Sequence, residues 1–253
     1  MRLTAIATGI ATGLVLLSAS PASAIVGGSV VDAKKTPWLG ALTSPSAFFR
    51  PGGQFCGAVL VKADKVLTAA HCARQFKYTP KALKVTFGRS DVRKKKGGTT
   101  VGIKKVWIHP GYHVTDFKGE DVEHNDLAVL TLAKKVKIKP VKFGSISGWT
   151  GTILGWGSTS EANVVNTRLR KASVPLVKVG DCQKAYGRAI DGGMFCAGST
   201  RADTCSYDSG GPLLVKGGLV GLTSWGKDCA APGYPGVYVR LSAYTDVLKK
   251  QLA

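Results

Sequence analysis

The chain predicts an all-β fold, of barrel or sandwich type, and three observations carry that reading. Short apolar runs of strand length, enriched in β-branched residues, recur at residues 56–61, 65–68, 83–87, 126–132, 152–154, 213–215 and 219–222. Turn residues separate these runs, the spacing of all-β barrels and sandwiches. Only the end of the chain has a convincing helical pattern: Ser242 can cap a final helix in which Tyr244, Val247, Leu248 and Leu252 face the body. No low-complexity tract, trusted repeat or Pro/Gly linker divides the remainder, so residues 25–253 are expected to form one domain.

Ahead of that domain, Met1-Arg2-Leu3, an apolar run to Leu17 and the small residues Ala22-Ser23-Ala24 have the layout of a secretory signal, residues 1–24. The run is broken by Thr and Gly and falls short of the roughly 20 apolar residues that span a bilayer. The expected location is therefore extracellular, and the style of the signal suggests a bacterium. Six cysteines fit an oxidising compartment, with about 15 pairings open to them. No C-x-x-C pair occurs and no histidine stands at ligand spacing from two cysteines, so neither metal nor cofactor is expected.

The formal charge is +20, and loss of residues 1–24 removes only Arg2, leaving 34 basic against 15 acidic side chains, or +19. The excess is spread over Lys34-Lys35, 93–96, Lys104-Lys105, Lys134-Lys135, Lys137, Lys139, Lys142 and Lys249-Lys250. Such a field favours anionic partners such as wall polymers, acidic polysaccharide, nucleic acid or anionic lipid, with no specific nucleic acid expected; the plainer reading is a solvated surface that keeps the protein soluble and monomeric.

Three segments carry chemistry. Thr68-Ala69-Ala70-His71-Cys72 offers a base, His124-Asn125-Asp126 followed by Leu127-Ala128-Val129-Leu130 offers a carboxylate opening an apolar strand, and Cys205-Ser206-Tyr207-Asp208-Ser209-Gly210-Gly211-Pro212 offers a hydroxyl in a tight turn. A serine hydroxyl is a poor nucleophile at neutral pH. It needs an imidazole to take its proton and a buried carboxylate to hold that imidazole in the right tautomer.

In content and order these segments resemble the chymotrypsin-like serine proteases, and the features around them narrow the likeness to secreted bacterial trypsins. The resemblance covers nearly all of residues 25–253. It implies two six-stranded antiparallel β-barrels with the active site between them and a C-terminal helix. It implies Ser209 as nucleophile, His71 as general base and Asp126 as its orienting carboxylate, with the N–H groups of Tyr207 and Ser209 forming the oxyanion hole. Asp203 matches the carboxylate at the base of a pocket for Arg or Lys, and Ser224, Trp225, Gly226 and Gly236 match its walls and the backbone that pairs with substrate. Ile25-Val26-Gly27-Gly28 matches the mature terminus, whose ammonium pairs with Asp208. The disulfides implied are Cys56–Cys72, Cys182–Cys196 and Cys205–Cys229.

Four departures from the family pattern stand out. Tyr207 replaces a glycine, which implies retained activity with narrowed acceptance on the leaving-group side. Ala24 precedes Ile25 where relatives have Arg or Lys, so signal removal alone would expose the active terminus. The loop Arg89-Ser90-Asp91-Val92-Arg93-Lys94-Lys95-Lys96 is basic where animal relatives gather carboxylates, and Arg240 stands where some bacterial trypsins have a glutamate; calcium dependence is not expected, and self-cleavage after residues 93–96 is. Asp116, Glu120, Asp121 and Glu123 lie in an extended loop before Asp126 that would attract basic residues upstream of the cut. The reading is thus a secreted endopeptidase cutting after Arg or Lys through an acyl-enzyme. Its rivals are a cationic binding protein on a protease scaffold and an esterase; the pocket carboxylate has no obvious use for a neutral ester.

Overall fold

A computed structural model of the chain describes residues 25–162 and 165–253. The signal segment, residues 1–24, therefore lies outside the described residues. Strand Gln54–Lys62 explains the architecture around it, because nearly all of its side chains are buried. Alternate residues go to opposite faces of a strand. Ala58 and Leu60 pack inward with Leu42, Val85, Ile103 and Leu130, whereas Val59 and Val61 pack outward with Leu154, Leu214 and Leu222. One set fills a barrel and the other glues that barrel to a second sheet. A strand buried on both faces reads as a continuous apolar run, which is why 56–61 stood out.

The first barrel is closed, with neighbours in the order Leu39–Thr43, Gln54–Lys62, Lys65–Thr68, Ala128–Leu132, Thr99–Ile108 and Lys84–Phe87. Every pairing is antiparallel, with Leu67 opposite Val129 and Thr68 opposite Ala128. The second sheet runs Ser29–Val30, Arg170–Pro175, Thr150–Gly155, Pro212–Val215, Gly218–Trp225, Gly236–Arg240 and Met194–Ala197. Its six longer strands curl until the ends meet: Leu176 bridges Ala197, Val177 N–H donates to Cys196 O (3.0 Å) and Gly198 N–H to Pro175 O (3.0 Å). Ser29–Val30 is a short seventh strand paired with Arg170 and Lys171. The two-barrel expectation holds.

Three local expectations are corrected. The final helix is Thr245–Leu252, preceded by a 3-10 turn Leu241–Tyr244, and its cap position is Tyr244, not Ser242. Tyr244, Leu248 and Leu252 are buried as expected, but Ser242 only accepts, through its carbonyl, from Thr245 Oγ1–H (3.0 Å). A second helix, Val179–Tyr186, has weak signals in the sequence: it contains Gly180 and lacks a side-chain cap, and Cys182–Cys196 ties it to the sheet. The acidic loop is a hairpin, His113–Phe117 with Glu120–His124, in which His113 and His124 stack at 4.6 Å. The basic side chains at 34–35, 93–96, 104–105, 134–135, 137, 139, 142 and 249–250 are all exposed.

Candidate active site

His71 sits in a single helical turn, Ala70–Ala73, at the end of strand Lys65–Thr68, and Cys56–Cys72 fastens that turn to strand Gln54–Lys62. Asp126 lies just before strand Ala128–Leu132, the barrel neighbour of Lys65–Thr68, so strand pairing brings the two together. Their contact is double. His71 N–H donates to Asp126 Oδ1 (2.9 Å), and His71 Nδ1 lies 2.8 Å from Asp126 Oδ2. A carboxylate accepts only, so Nδ1 carries the proton and Nε2 keeps its lone pair free for a substrate-side proton. Nε2 lies 3.5 Å from Cys72 Sγ, a disulfide sulfur with no proton to give.

Asp126 is fully buried and receives a third hydrogen bond, from Ser224 Oγ–H at 2.6 Å. Burial works to raise its pKa, but His71 and these hydrogen bonds outweigh burial and hold it below the ordinary carboxylate range. Burial likewise works to lower His71, yet the Asp126 carboxylate outweighs it and the net direction is up. Ser224, expected only as a substrate-binding residue, thus also supports Asp126. Nothing in its local sequence announces that partnership across 98 positions.

The turn bearing Ser209 is pressed against the same strand. Gly57 N–H donates to Ser209 O (2.7 Å), Thr68 Oγ1–H to Gly57 O (2.8 Å), and Gly210 N–H to Thr223 O (2.8 Å). A Cβ on Gly57 would meet Gly211 Cα at 2.8 Å, so glycine is what allows the first barrel and this turn to touch. Ser209 Oγ makes no hydrogen bond among the described residues; in unliganded sites such links tighten around substrate. Asp208 N–H closes a turn onto Cys205 O (3.1 Å), with Tyr207 at φ +76°, and neither Tyr207 N–H nor Ser209 N–H has a partner among the described residues.

Beside Ser209 opens a cavity of about 390 Å³ lined by Asp203, Ser206, Ser224, Trp225, Gly226 and Gly236. Asp203 is buried at its base, accepting from Thr204 N–H (2.8 Å) and Gly236 N–H (3.2 Å). A Cβ at Gly198 or Gly236 would come within 2.6 or 2.5 Å of its carboxylate. Burial pushes Asp203 up to about 7, against the pull of those two N–H groups. Three further carboxylates line the cavity: Glu120, Glu161 and Asp228. Glu161 accepts from Cys229 N–H (3.1 Å) and Glu120 lies 3.9 Å from Lys227 Nζ. Their sequence positions gave no sign of it, apart from the clustering of Glu120 with other acids.

The hairpin acids do not act as a set. Glu120 reaches the cavity, Asp116 accepts from Gly119 N–H (3.0 Å) inside the turn, and Glu123 is buried with Tyr112 Oη–H donating to it at 2.6 Å. Burial raises Glu123 above the usual carboxylate range. One ligand atom each of His71, Glu123 and Asp126 lies within 4.8 Å of the others, a spacing a metal ion could bridge. Within this group His71 Nδ1 is already in contact with Asp126 Oδ2, which also accepts from Ser224, and Glu123 Oε2 accepts from Tyr112.

Ile25 is fully buried among Ile153, Val174, Leu213 and Tyr238, and Asp203 N–H donates to Val26 O (3.3 Å). Asp208 is buried too, accepting from Gly157 N–H (2.8 Å) and Cys205 N–H (3.1 Å), and burial pushes it up to about 7. The described hydrogen bonds hold no contact between Ile25 and Asp208. The three disulfides join Cys56 to Cys72, Cys182 to Cys196 and Cys205 to Cys229, and the last ties together two segments that line the cavity.

A family model described as Trypsin matches residues 25–248. A trypsin from Saccharopolyspora erythraea is 40% identical over 236 residues, covering 90% of this chain and 98% of its own. Human kallikrein-8 is 37% identical over 89% of this chain and 85% of its own, and trypsin eta of Drosophila erecta 34% over 92% of each.

Proposed function

This chain belongs to the trypsin family and is a trypsin-like serine endopeptidase; on that premise we propose that it is secreted and cuts peptide bonds after Arg or Lys through an acyl-enzyme on Ser209. Ser209 Oγ attacks the scissile carbonyl while His71 Nε2 takes its proton. His71 then passes that proton to the leaving amine, which departs, and water repeats the sequence to release the acid. Asp126, ionised and supported by Ser224, stabilises the imidazolium formed in each half. Tyr207 N–H and Ser209 N–H receive the developing oxyanion, a contribution worth about 100- to 1,000-fold per donor.

The single observation that supports the specificity is the buried Asp203 at the floor of a cavity lined, among the described residues, by three more carboxylates and by no lysine or arginine. A long cationic side chain would reach that floor, hold Asp203 ionised and leave its stem against the cavity walls. Trp225 and Gly226, at the cavity wall, would pair with extended substrate. We further assign Ile25 and Asp208 as the activation pair: a free ammonium at Ile25 would supply the charge that the buried Asp208 lacks. Its partners are protein or peptide chains bearing Arg or Lys, and the exposed basic surface would favour anionic polymers.

The experiment is hydrolysis of matched peptides ending in Arg, Lys, Phe or Ala by wild type and Ser209→Ala. Cleavage only after Arg and Lys, lost in the variant, is the expected outcome. Equal cleavage after Phe would refute the role of Asp203, and turnover surviving Ser209→Ala would refute the acyl-enzyme.

A further inference from the structure

Tyr207 occupies the third position of the turn closed by Asp208 N–H onto Cys205 O, at φ +76°. That position of a type II turn takes glycine, because a Cβ there crowds the backbone. The alternative, a type I turn, keeps the same closing hydrogen bond but inverts the peptide between Ser206 and Tyr207. Inversion would carry the Tyr207 N–H to the opposite face, away from Ser209. Left to itself, a non-glycine residue disfavours the left-handed form by about tenfold in population. Something must reverse that preference if the N–H is to face the reacting carbonyl.

Two buried side chains meet this residue: Gln54, which opens strand Gln54–Lys62, and Arg50, in the loop just before it. The guanidinium carbon of Arg50 lies 3.8 Å from the centroid of the Tyr207 ring, and Gln54 Nε2–H donates to Tyr207 O at 3.0 Å. Gln54 is fully buried and Arg50 only 5% exposed, although the neighbouring Phe48 and Phe49 are open to solvent. The pair is tied together: Arg50 Nη2–H donates to Gln54 Oε1 and Arg50 Nε–H to Gln54 O, each at 3.4 Å. Those bonds fix the amide orientation, with oxygen towards the guanidinium and nitrogen towards the Tyr207 and Cys56 carbonyls. Burial lowers the Arg50 pKa below its ordinary value, and the fields of Tyr207 and Asp208 work against that, favouring the cation.

We propose that Arg50 and Gln54 are positioning residues that hold Tyr207 in its left-handed turn and so keep the Tyr207 N–H at the oxyanion position. The inference rests on the assignment of Ser209 and the oxyanion hole above. With its carbonyl held by Gln54 and its ring held by Arg50, two of the three heavy-atom bonds at the Tyr207 Cα have fixed directions. Inverting the 206–207 peptide tilts the Cα–Cβ bond, which carries the ring off the guanidinium. The desolvated cation–π contact therefore opposes the flip that the turn would otherwise prefer.

The test is a double-mutant cycle, read by kcat and KM on one Arg-ending peptide with active sites counted by titration. Arg50→Met is expected to lower kcat at least about tenfold with KM within about twofold, since the lost donor acts in the transition state. Gln54→Met is expected to act in the same direction. In the Tyr207→Gly background, where the left-handed turn needs no support, Arg50→Met is expected to change kcat by less than about twofold. Equal loss in both backgrounds, or no loss in either, overturns the proposal. Should Arg50→Met fail to fold, Tyr207→Leu keeps the Cβ and removes the ring; a kcat equal to wild type for that variant overturns it as well. Ser209→Ala separates the two levels: turnover that survives it removes the oxyanion assignment and the clamp together, whereas failure of the cycle alone leaves Ser209 in place.

Discussion

Asp203→Asn tests an exchange of stability for specificity. Burial carries the Asp203 carboxyl from 3.8 to about 7, which at about 1.36 kcal/mol per pH unit amounts to about 4 kcal/mol for keeping it ionised. The folded pKa is raised, so this contribution to stability is present below pH 4 and is lost as pH rises through 7. Asparagine cannot ionise and avoids the loss. It must, however, turn its NH₂ towards one of the two backbone donors, Thr204 N–H or Gly236 N–H, at a cost of about 1–3 kcal/mol. The net expectation above pH 7 is a gain of about 1–3 kcal/mol, or roughly 3 °C in Tm for each kcal/mol. Activity moves the other way: truncating one partner of a buried ion pair costs about 2–5 kcal/mol, so kcat/KM on Arg peptides should fall from about 30-fold to several thousand-fold. Peptide kinetics and thermal melts at pH 4.5 and 8 check both halves. A Tm difference that does not widen with pH, or an Arg preference left intact, would refute the reasoning.

Four other expectations follow from the same geometry. The net upward direction of His71 places its acid limb of kcat/KM above the ordinary imidazole pKa, and Asp203 adds a second limb near 7 to the same profile; an acid limb of kcat/KM lying below 6.5 would contradict the His71–Asp126 contact. Ser224→Ala removes a 2.6 Å hydrogen bond to an ionised carboxylate, worth about 1.5–3 kcal/mol, so kcat should drop about 10- to 100-fold while binding of a cationic inhibitor stays within a few-fold. Asp208, pushed up to about 7 by burial, makes the uncleaved chain lose stability as pH rises through 7; in the form starting at Ile25 the ammonium should abolish that loss, and parallel Tm profiles for the two forms would refute the pairing. In the basic loop Arg93 is held by Asp91 at 3.0 Å while Lys94 to Lys96 project outward, so mass spectrometry of aged enzyme should find autolysis after the lysines before Arg93.

What the sequence revealed depended on how far apart the cooperating atoms lie along the chain. Runs such as 56–61 and 219–222 were legible because strands buried on two faces are apolar throughout. Strand Thr99–Ile108 was not, because Lys104 and Lys105 interrupt it where its pairing with Ala128–Leu132 shifts register. The hairpin His113–Phe117 with Glu120–His124 escaped notice because it is held by cross-strand pairs, His113 on His124 and Thr115 Oγ1 beside His124 Nε2 at 2.9 Å, which leave no apolar alternation.

At the site, Asp203, His71, Asp126 and Ser209 were readable because each sits in a local motif. The residues that tune them were not. Glu161 and Asp228 reach the cavity from loops with no motif, and Ser224 reaches Asp126 across 98 positions. Tyr207 stands where the family pattern has glycine, and the sequence alone implied retained activity there without showing what supports it. A left-handed tyrosine is unfavourable on its own, and its compensation comes from Gln54, 153 residues away, and from Arg50 beside it. Neither residue has a chemical reason of its own to be buried: a buried guanidinium and amide cost desolvation unless each finds a partner. The departure at Tyr207 and the burial of Arg50 and Gln54 therefore explain one another. Substituting Arg50 or Gln54 should be costly alone, whereas Tyr207→Gly should release both from their catalytic part.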